Sequence, residues 1–288
     1  MKRTILTLMA LALTGFLLAQ DTLKSDTLWK FAGATSLNVS QLSLTNWAAG
    51  GENSISGNAL VNLSADYNNG KTTWDNDLIL GFGLIRQGND PVTKSDDQID
   101  LASKVGFKAS KNWSYSGLLS YKTQFAEGYD NPGEDDRNRI STFMAPGYLN
   151  ISAGMDYRPR ESFSFYISPV AAKMTFVLDE ELSSLGVFGL DPEQTVRSEF
   201  GGYIKIAFKK EILKNVLLDT KVDLFSNYVE NPQYVDVNWD LLLTFTVNKF
   251  ISATLKTQMI YDYDIRFEND EARIQFKELF GIGLTYKF

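Results

Sequence analysis

The 288-residue chain contains neither cysteine nor histidine. Without cysteine it has no disulfide framework, no thiolate metal site, no thiol nucleophile and no residue to carry a lipid anchor at a mature N-terminus. Without histidine it lacks the usual general base and orienting group of hydrolases and proteases, which argues against Ser-His and Asp-His chemistry. Long hydrophobic runs are missing too. The one extended apolar stretch, Ile5 to Leu18, is broken by Thr7, Thr14 and Gly15 and falls short of the roughly twenty residues that a spanning helix needs. Positive charge is in deficit, with 28 basic against 35 acidic residues and a net charge of −7. That balance repels a phosphate backbone, so no nucleic-acid partner is expected.

What the chain does have begins with a leader. Met1-Lys2-Arg3 is a positive n-region, Ile5 to Leu18 an apolar core, and Ala19 a small residue before a polar continuation at Gln20, the pattern of a cleaved secretory signal peptide. From Trp29 onward one unit repeats: a strand of about a dozen residues with a period of two, then a break that is alternately long and short. Ile55, Gly57, Ala59, Val61, Leu63, Ala65 and Tyr67 alternate with mostly polar residues, and Asn68-Asn69-Gly70 follows as a tight turn. The first strand is expected over Trp29 to Thr45, with a register slip near Leu42 to Leu44. The seventh, beginning at Phe163, is expected to be interrupted at Pro169, and Lys209 to Lys214 to join the eighth and ninth. The last strand, Arg273 to Phe288, sets Ile274, Phe276, Phe280, Ile282, Leu284, Tyr286 and Phe288 on a face that reads as wholly apolar.

These observations predict an all-β fold, a transmembrane antiparallel up-and-down β-barrel of about twelve strands. The even count puts both termini on the periplasmic side. Short connections are mostly basic (Lys71, Lys111, Arg158, Arg160, Lys249) and long ones acidic (Asp96, Asp97, Glu180, Glu181, Glu268, Asp270, Glu271), in keeping with that orientation. Aromatic residues gather at strand ends, where interfacial girdles sit. A soluble β-sandwich also alternates, but its strands are nearer five or six residues on average. The expected organisation is therefore a signal peptide over 1–19, a short periplasmic segment over 20–28 and one barrel over 29–288.

The stretch from Leu37 to Ser54, LNVSQLSLTNWAAGGENS, resembles the N-terminal hallmark of a family of Gram-negative outer-membrane β-barrel proteins classed as a domain of unknown function, over most of the mature chain. That resemblance implies place and fold, and no catalytic residues. Within the hallmark, Asn46 to Asn53 reads as a glycine turn with Trp47 at a girdle, or as a surface for a partner or glycan. The terminal Tyr286 and Phe288 resemble the closing signal read by the barrel-assembly machinery.

The remaining chemistry lies on the inward faces. Parity places Lys221 and Asp223 on the ninth strand, Asp240 on the tenth and Lys256 on the eleventh near mid-height, with Lys104, Lys122 and Lys205 on other walls. Cross-strand neighbours lie about 5 Å apart, so opposite charges there are expected to pair; unpaired lysines would favour anions. The carboxylate pairs Asp75/Asp77 and Asp219/Asp223 fit a polar lumen better than a catalytic dyad. The acidic stretch Asp130 to Asp136 has oxygen ligands suited to calcium but lacks the alternation of a calcium loop, so a solvated loop bridged to lipopolysaccharide by divalent ions is the simpler reading. No catalytic residue, metal site or cofactor is expected. Outer-membrane lipids and lipopolysaccharide are the expected surroundings. The sequence leaves two functions open: a narrow passive channel for small solutes, or a non-catalytic accessory or scaffold subunit of an outer-membrane assembly or secretion complex.

Overall fold

The computed structural model describes residues 28–44, 52–130, 137–266 and 271–288. The leader with Gln20, the turn around Trp47, most of the acidic stretch after Asp130, and Glu268 and Asp270 lie outside the described residues. Among the described residues fourteen strands follow one another: β1 (Trp29–Leu42), β2 (Ser54–Asn68), β3 (Thr72–Gln87), β4 (Thr93–Lys108), β5 (Trp113–Thr123), β6 (Gly128–Tyr129), β7 (Arg139–Ser141), β8 (Gly147–Arg160), β9 (Phe163–Phe176), β10 (Val196–Leu213), β11 (Val216–Asn227), β12 (Val235–Thr246), β13 (Ile251–Tyr261) and β14 (Gln275–Lys287). Twelve of them close into an antiparallel barrel in which chain neighbours pair, while β6 and β7 form a separate two-stranded ribbon within one loop.

Alternation builds the wall. On β14, Phe276 and Phe280 are 61% and 63% exposed, whereas Lys277 and Gly281, each the next residue along, turn inward. Apolar side chains exposed all round the outside have no protein layer to cover them, which is the surface a lipid-facing band requires. Glu278 breaks that band: it is exposed and shares the outer face with Phe276 and Phe280, so the last strand is not wholly apolar on that side. Trp29 packs at a tilt against Tyr67 and Trp74 at ring distances of 5.3 and 5.6 Å, and Trp113 meets Tyr157 at 4.9 Å, forming a girdle at the end where the short turns lie.

Several local expectations are corrected. Register between β1 and β2 runs without a slip to Leu42 opposite Ser54. Strand β9 passes straight through Pro169, because the missing donor falls in a bulge: Ser168 and Ala171 oppose Tyr203 and Gly201 on β10, and Ser168 and Pro169 face Gly154 on β8. The Ser168 hydroxyl accepts from the Val170 N–H at 3.2 Å and donates to the Ala153 carbonyl at 2.7 Å, replacing lost ladder bonds. A side chain at Gly154 would sit 2.1 Å from the Ile167 oxygen, so only glycine lets the bulge in. Strand β10 continues through Lys209 to Leu213, and only Lys214 and Asn215 turn, with Asn215 at φ 66°.

The barrel closes where β1 meets β14. Gly33 and Phe288 exchange both backbone bonds, at 2.9 and 3.0 Å, so every second pair above them is a bonded rung. The ladder runs from Ala34 opposite Lys287 to Val39 opposite Ile282 and stops there. Above it, Ser40 to Leu42 still pair with β2 and Gln275 to Gly281 with β13, but not with each other.

Candidate functional site: the barrel lumen

The inward faces carry charge at every height. Near the turn end, Arg158 reaches Asp75 at 2.5 Å and Asp156 at 3.3 Å, and Lys104 sits 3.0 Å from Asp156 and donates to the Ser164 hydroxyl at 2.9 Å. At mid-height Lys122 lies 3.2 Å from Asp240 and 3.6 Å from Asp100. Beside it Asp223 accepts from Lys205 at 2.8 Å and from the Tyr203 hydroxyl, and Gln258 donates to Asp240 at 3.1 Å. Lys221 approaches Asp77 at 4.0 Å. Further toward the loop end, Lys256 and Lys277 each meet Asp96 at 2.9 Å, around a carboxylate side chain only 1% exposed. At the mouth Lys173 is held by Asp236, Asp262 and Glu199 at 2.6, 2.9 and 3.6 Å, and Arg197 by Asp264, Glu230 and Glu199 at 2.8, 3.3 and 3.5 Å.

All seven lumen candidates, Lys104, Lys122, Lys205, Lys221, Asp223, Asp240 and Lys256, carry side chains that turn inward, and only some of them pair with a cross-strand neighbour. Lys205 and Asp223 face each other across β10 and β11 and do pair. Lys221 and Asp240 also face each other, across β11 and β12, yet each takes a partner from a distant wall. Strands β5 and β12, which carry Lys122 and Asp240, lie five places apart around the ring; β11 and β3, which carry Lys221 and Asp77, lie six apart. The charges therefore tie opposite walls together. Two side chains meeting across the lumen narrow it at that level.

Above this layer the lumen opens into a cavity of about 400 Å³, walled by Tyr148, Lys173, Tyr203, Phe225, Asn238 and Gln258. Phe188, from the loop between β9 and β10, also borders it. That loop carries a short helix α1 (Glu180–Ser184), N-capped by the Asp179 side chain, which accepts from the Leu182 N–H at 3.0 Å. Val177, Leu182 and Leu190 bury there against Ala145 from the loop before β8. Arg139 on β7 ties the loops together through Asp179 at 3.1 Å and Glu181 at 2.7 Å. A second void of about 50 Å³ lies between Leu60, Ile79, Lys221 and Leu242, and Gln98 borders both.

Residues not expected in the lumen supply several of its close contacts. Lys173 lies beyond Pro169, where the strand was expected to break, so its inward parity could not be counted. Arg158 was read as part of a basic turn, whereas β8 carries it far enough for its guanidinium to reach Asp75. Asp96 is expected in a long acidic loop, whereas β4 begins at Thr93 and carries it inward in the same alternation as Gln98, Asp100 and Lys104. Among the described residues no group of acidic side chains is arranged to hold a metal ion.

Residues 39–129 match the sequence model of a family described as Protein of unknown function (DUF3078). No curated protein sequence matches the chain. Among solved structures, the fold is similar to the translocator domain of the autotransporter NalP from Neisseria meningitidis, at 10% identity over 99% of this chain and 96% of that one, with a TM-score of 0.40. It is also similar to the NanC porin, at 9% identity over 88% and 98% with a TM-score of 0.38. OmpT, an outer membrane protein of Vibrio cholerae, is similar at 9% identity over 93% and 100%, with a TM-score of 0.31.

Proposed function

We propose that this outer-membrane β-barrel is a narrow channel for small solutes, shut at mid-lumen by the Lys122–Asp240 layer and opened when those side chains move. One observation carries the reading: among the described residues, the lumen is crossed at that layer by side chains rather than by a folded-in segment of backbone. Swinging a lysine costs rotamer and ion-pair energy but leaves the hydrogen-bonded wall intact, whereas removing a backbone plug requires unfolding it. Both termini are periplasmic in this reading, after export by the leader. The acidic loops face lipopolysaccharide, and Tyr286 and Phe288 are the residues the assembly machinery reads.

Conductance of the purified barrel in planar bilayers tests the channel. Wild type should give brief, small currents, and Asp240→Lys or Lys256→Glu should shift the ratio of cation to anion permeability while heat-modifiable migration on gels stays normal. If wild type and both variants insert yet carry no current, the channel is wrong and a non-catalytic accessory subunit of an outer-membrane complex takes its place.

A further inference from the structure

The two ends of the barrel differ in the sign of their charge. Across the turns and strand ends at 28–30, 68–73, 107–114, 159–162, 209–216, 246–251 and 286–288, exposed basic residues number ten and exposed acidic residues two, Glu161 and Glu211. The loop end is the reverse, with Glu180, Glu181, Asp191 and Glu193 exposed on α1 and the loop that carries it. At the turn end the cations gather on three turns that are neighbours around the ring: Lys71 lies between β2 and β3, Lys108 ends β4 with Lys111 in the turn after it, and Arg160 ends β8. Backbone bonds lock these turns to one another, since the Lys108 N–H donates to the Lys71 carbonyl at 2.8 Å and the Arg158 N–H to the Asn112 carbonyl at 2.8 Å. The Asn69 side chain accepts from the Lys71 and Thr72 N–H groups at 3.0 and 2.7 Å, which fixes the first turn. Among the described residues none of Lys71, Lys108, Lys111 and Arg160 pairs with a carboxylate, in contrast to the lysines of the lumen. Four exposed cations on a rigid rim are left for a partner outside the protein.

We infer that this patch binds the headgroup phosphates of anionic glycerophospholipids in the leaflet that meets the turn end. Height selects lipid over a soluble anion. Each of the four cations stands one to three residues from an aromatic on the outer face: Lys71 from Trp74, Lys108 from Phe107, Lys111 from Trp113 and Arg160 from Tyr157. Trp74 and Phe107 are 45% and 57% exposed, and such rings settle where acyl chains give way to headgroups. A lysine or arginine just beyond that level lies among the phosphates, its aliphatic stem laid along the ring and its charge in water. Basic residues held there are drawn to anionic lipid. A soluble acidic partner has no need of cations placed at the girdle. Only the choice of leaflet rests on the orientation adopted in the proposed function; the preference for anionic lipid needs neither an open pore nor a known direction of insertion.

Tryptophan quenching by brominated lipid is the test, because Trp29, Trp74 and Trp113 all lie at this end. The barrel is reconstituted in equimolar vesicles of phosphatidylglycerol and phosphatidylcholine, with bromine on the acyl chains of one lipid or of the other. Brominated phosphatidylglycerol should quench about twofold more strongly than brominated phosphatidylcholine. The triple variant Lys71→Gln, Lys108→Gln, Lys111→Gln should bring the two toward equality, whereas Arg137→Gln, exposed at the loop end, should leave the difference intact. Heat-modifiable migration verifies that each variant is folded. Equal quenching in the wild type, or an undiminished difference in the folded triple variant, would overturn the site. Sedimentation of the wild type with isolated peptidoglycan, lost in the triple variant and joined to equal quenching, would give the patch to the cell wall instead. Lipid preference in vesicles together with labelling of Lys111→Cys by an impermeant maleimide in intact cells would overturn the leaflet and the orientation, and assign the patch to lipopolysaccharide phosphates. Lipid preference without any bilayer current would leave the patch standing and remove the channel.

Discussion

At the scale of single residues, the lumen is decided by which charges find partners. Asp96 is the clearest case, a carboxylate almost sealed from solvent with two lysines on it. Removing one member of a buried pair strands the other and typically costs 3–5 kcal/mol. Asp96→Ala strands Lys256, 13% exposed, and Lys277, 36% exposed, and the wetter of the two softens the loss. We expect a destabilisation of about 3 kcal/mol by urea unfolding in lipid vesicles. Lys209→Ala is the contrast: its side chain is 62% exposed, 3.3 Å from Asp219, and an exposed pair contributes about 1 kcal/mol at most. Equal losses for the two variants would show that burial does not set the strength of these bridges.

At the scale of elements, the closing seam differs from every other pairing. Its ladder of six registered pairs, Ala34–Lys287 to Val39–Ile282, stops while both strands continue upward, and Ser40 and Leu42, which would face inward, are exposed. Because the chain has no cysteine of its own, introduced pairs report geometry cleanly. Paired antiparallel residues lie within disulfide range, so Val39→Cys with Ile282→Cys should cross-link under mild oxidation. Gln41→Cys with Phe280→Cys, the next rung, should not. Cross-linking of both to the same extent would mean that the seam zips to its top. The lower end of the same seam is held by the Gly33–Phe288 bonds, and the Phe288 ring lies against Gly33 so closely that a β-carbon there would come within 2.3 Å. Deleting Tyr286 to Phe288 removes that rung together with the proposed recognition residues, and heat-modifiable barrel should then disappear from outer membranes. Normal migration of the truncated protein would rule out that role for the strand end.

At the scale of the whole molecule, the two ends of the barrel are chemically distinct. One holds short turns and the Trp29–Tyr67–Trp74 cluster; the other holds the long loops, with α1 packed under them. If the loop end faces outward, Ser184→Cys, exposed on α1, should react with a membrane-impermeant maleimide in intact cells. Lys111→Cys, exposed in the turn between β4 and β5, should react only after permeabilisation. The opposite pattern would invert the orientation and place the 400 Å³ cavity on the periplasmic side.

The strand count, the antiparallel order and the inward or outward sense of most side chains were all legible in the sequence, because a period of two is a local property that each strand writes for itself. Lys122, Asp240 and Lys256 were assigned inward on that basis alone. Their partners were not legible. Which wall Lys122 reaches depends on barrel diameter and strand stagger, properties of the closed ring that no single strand encodes. The bulge at Pro169 likewise shifts the face of Lys173 through pairing with neighbouring strands, and Asp96 turns inward because β4 extends beyond the expected strand start. Parity of a strand is fixed by its own residues; an ion pair across the lumen is a contact between residues far apart in the chain, and only the folded ring brings them together.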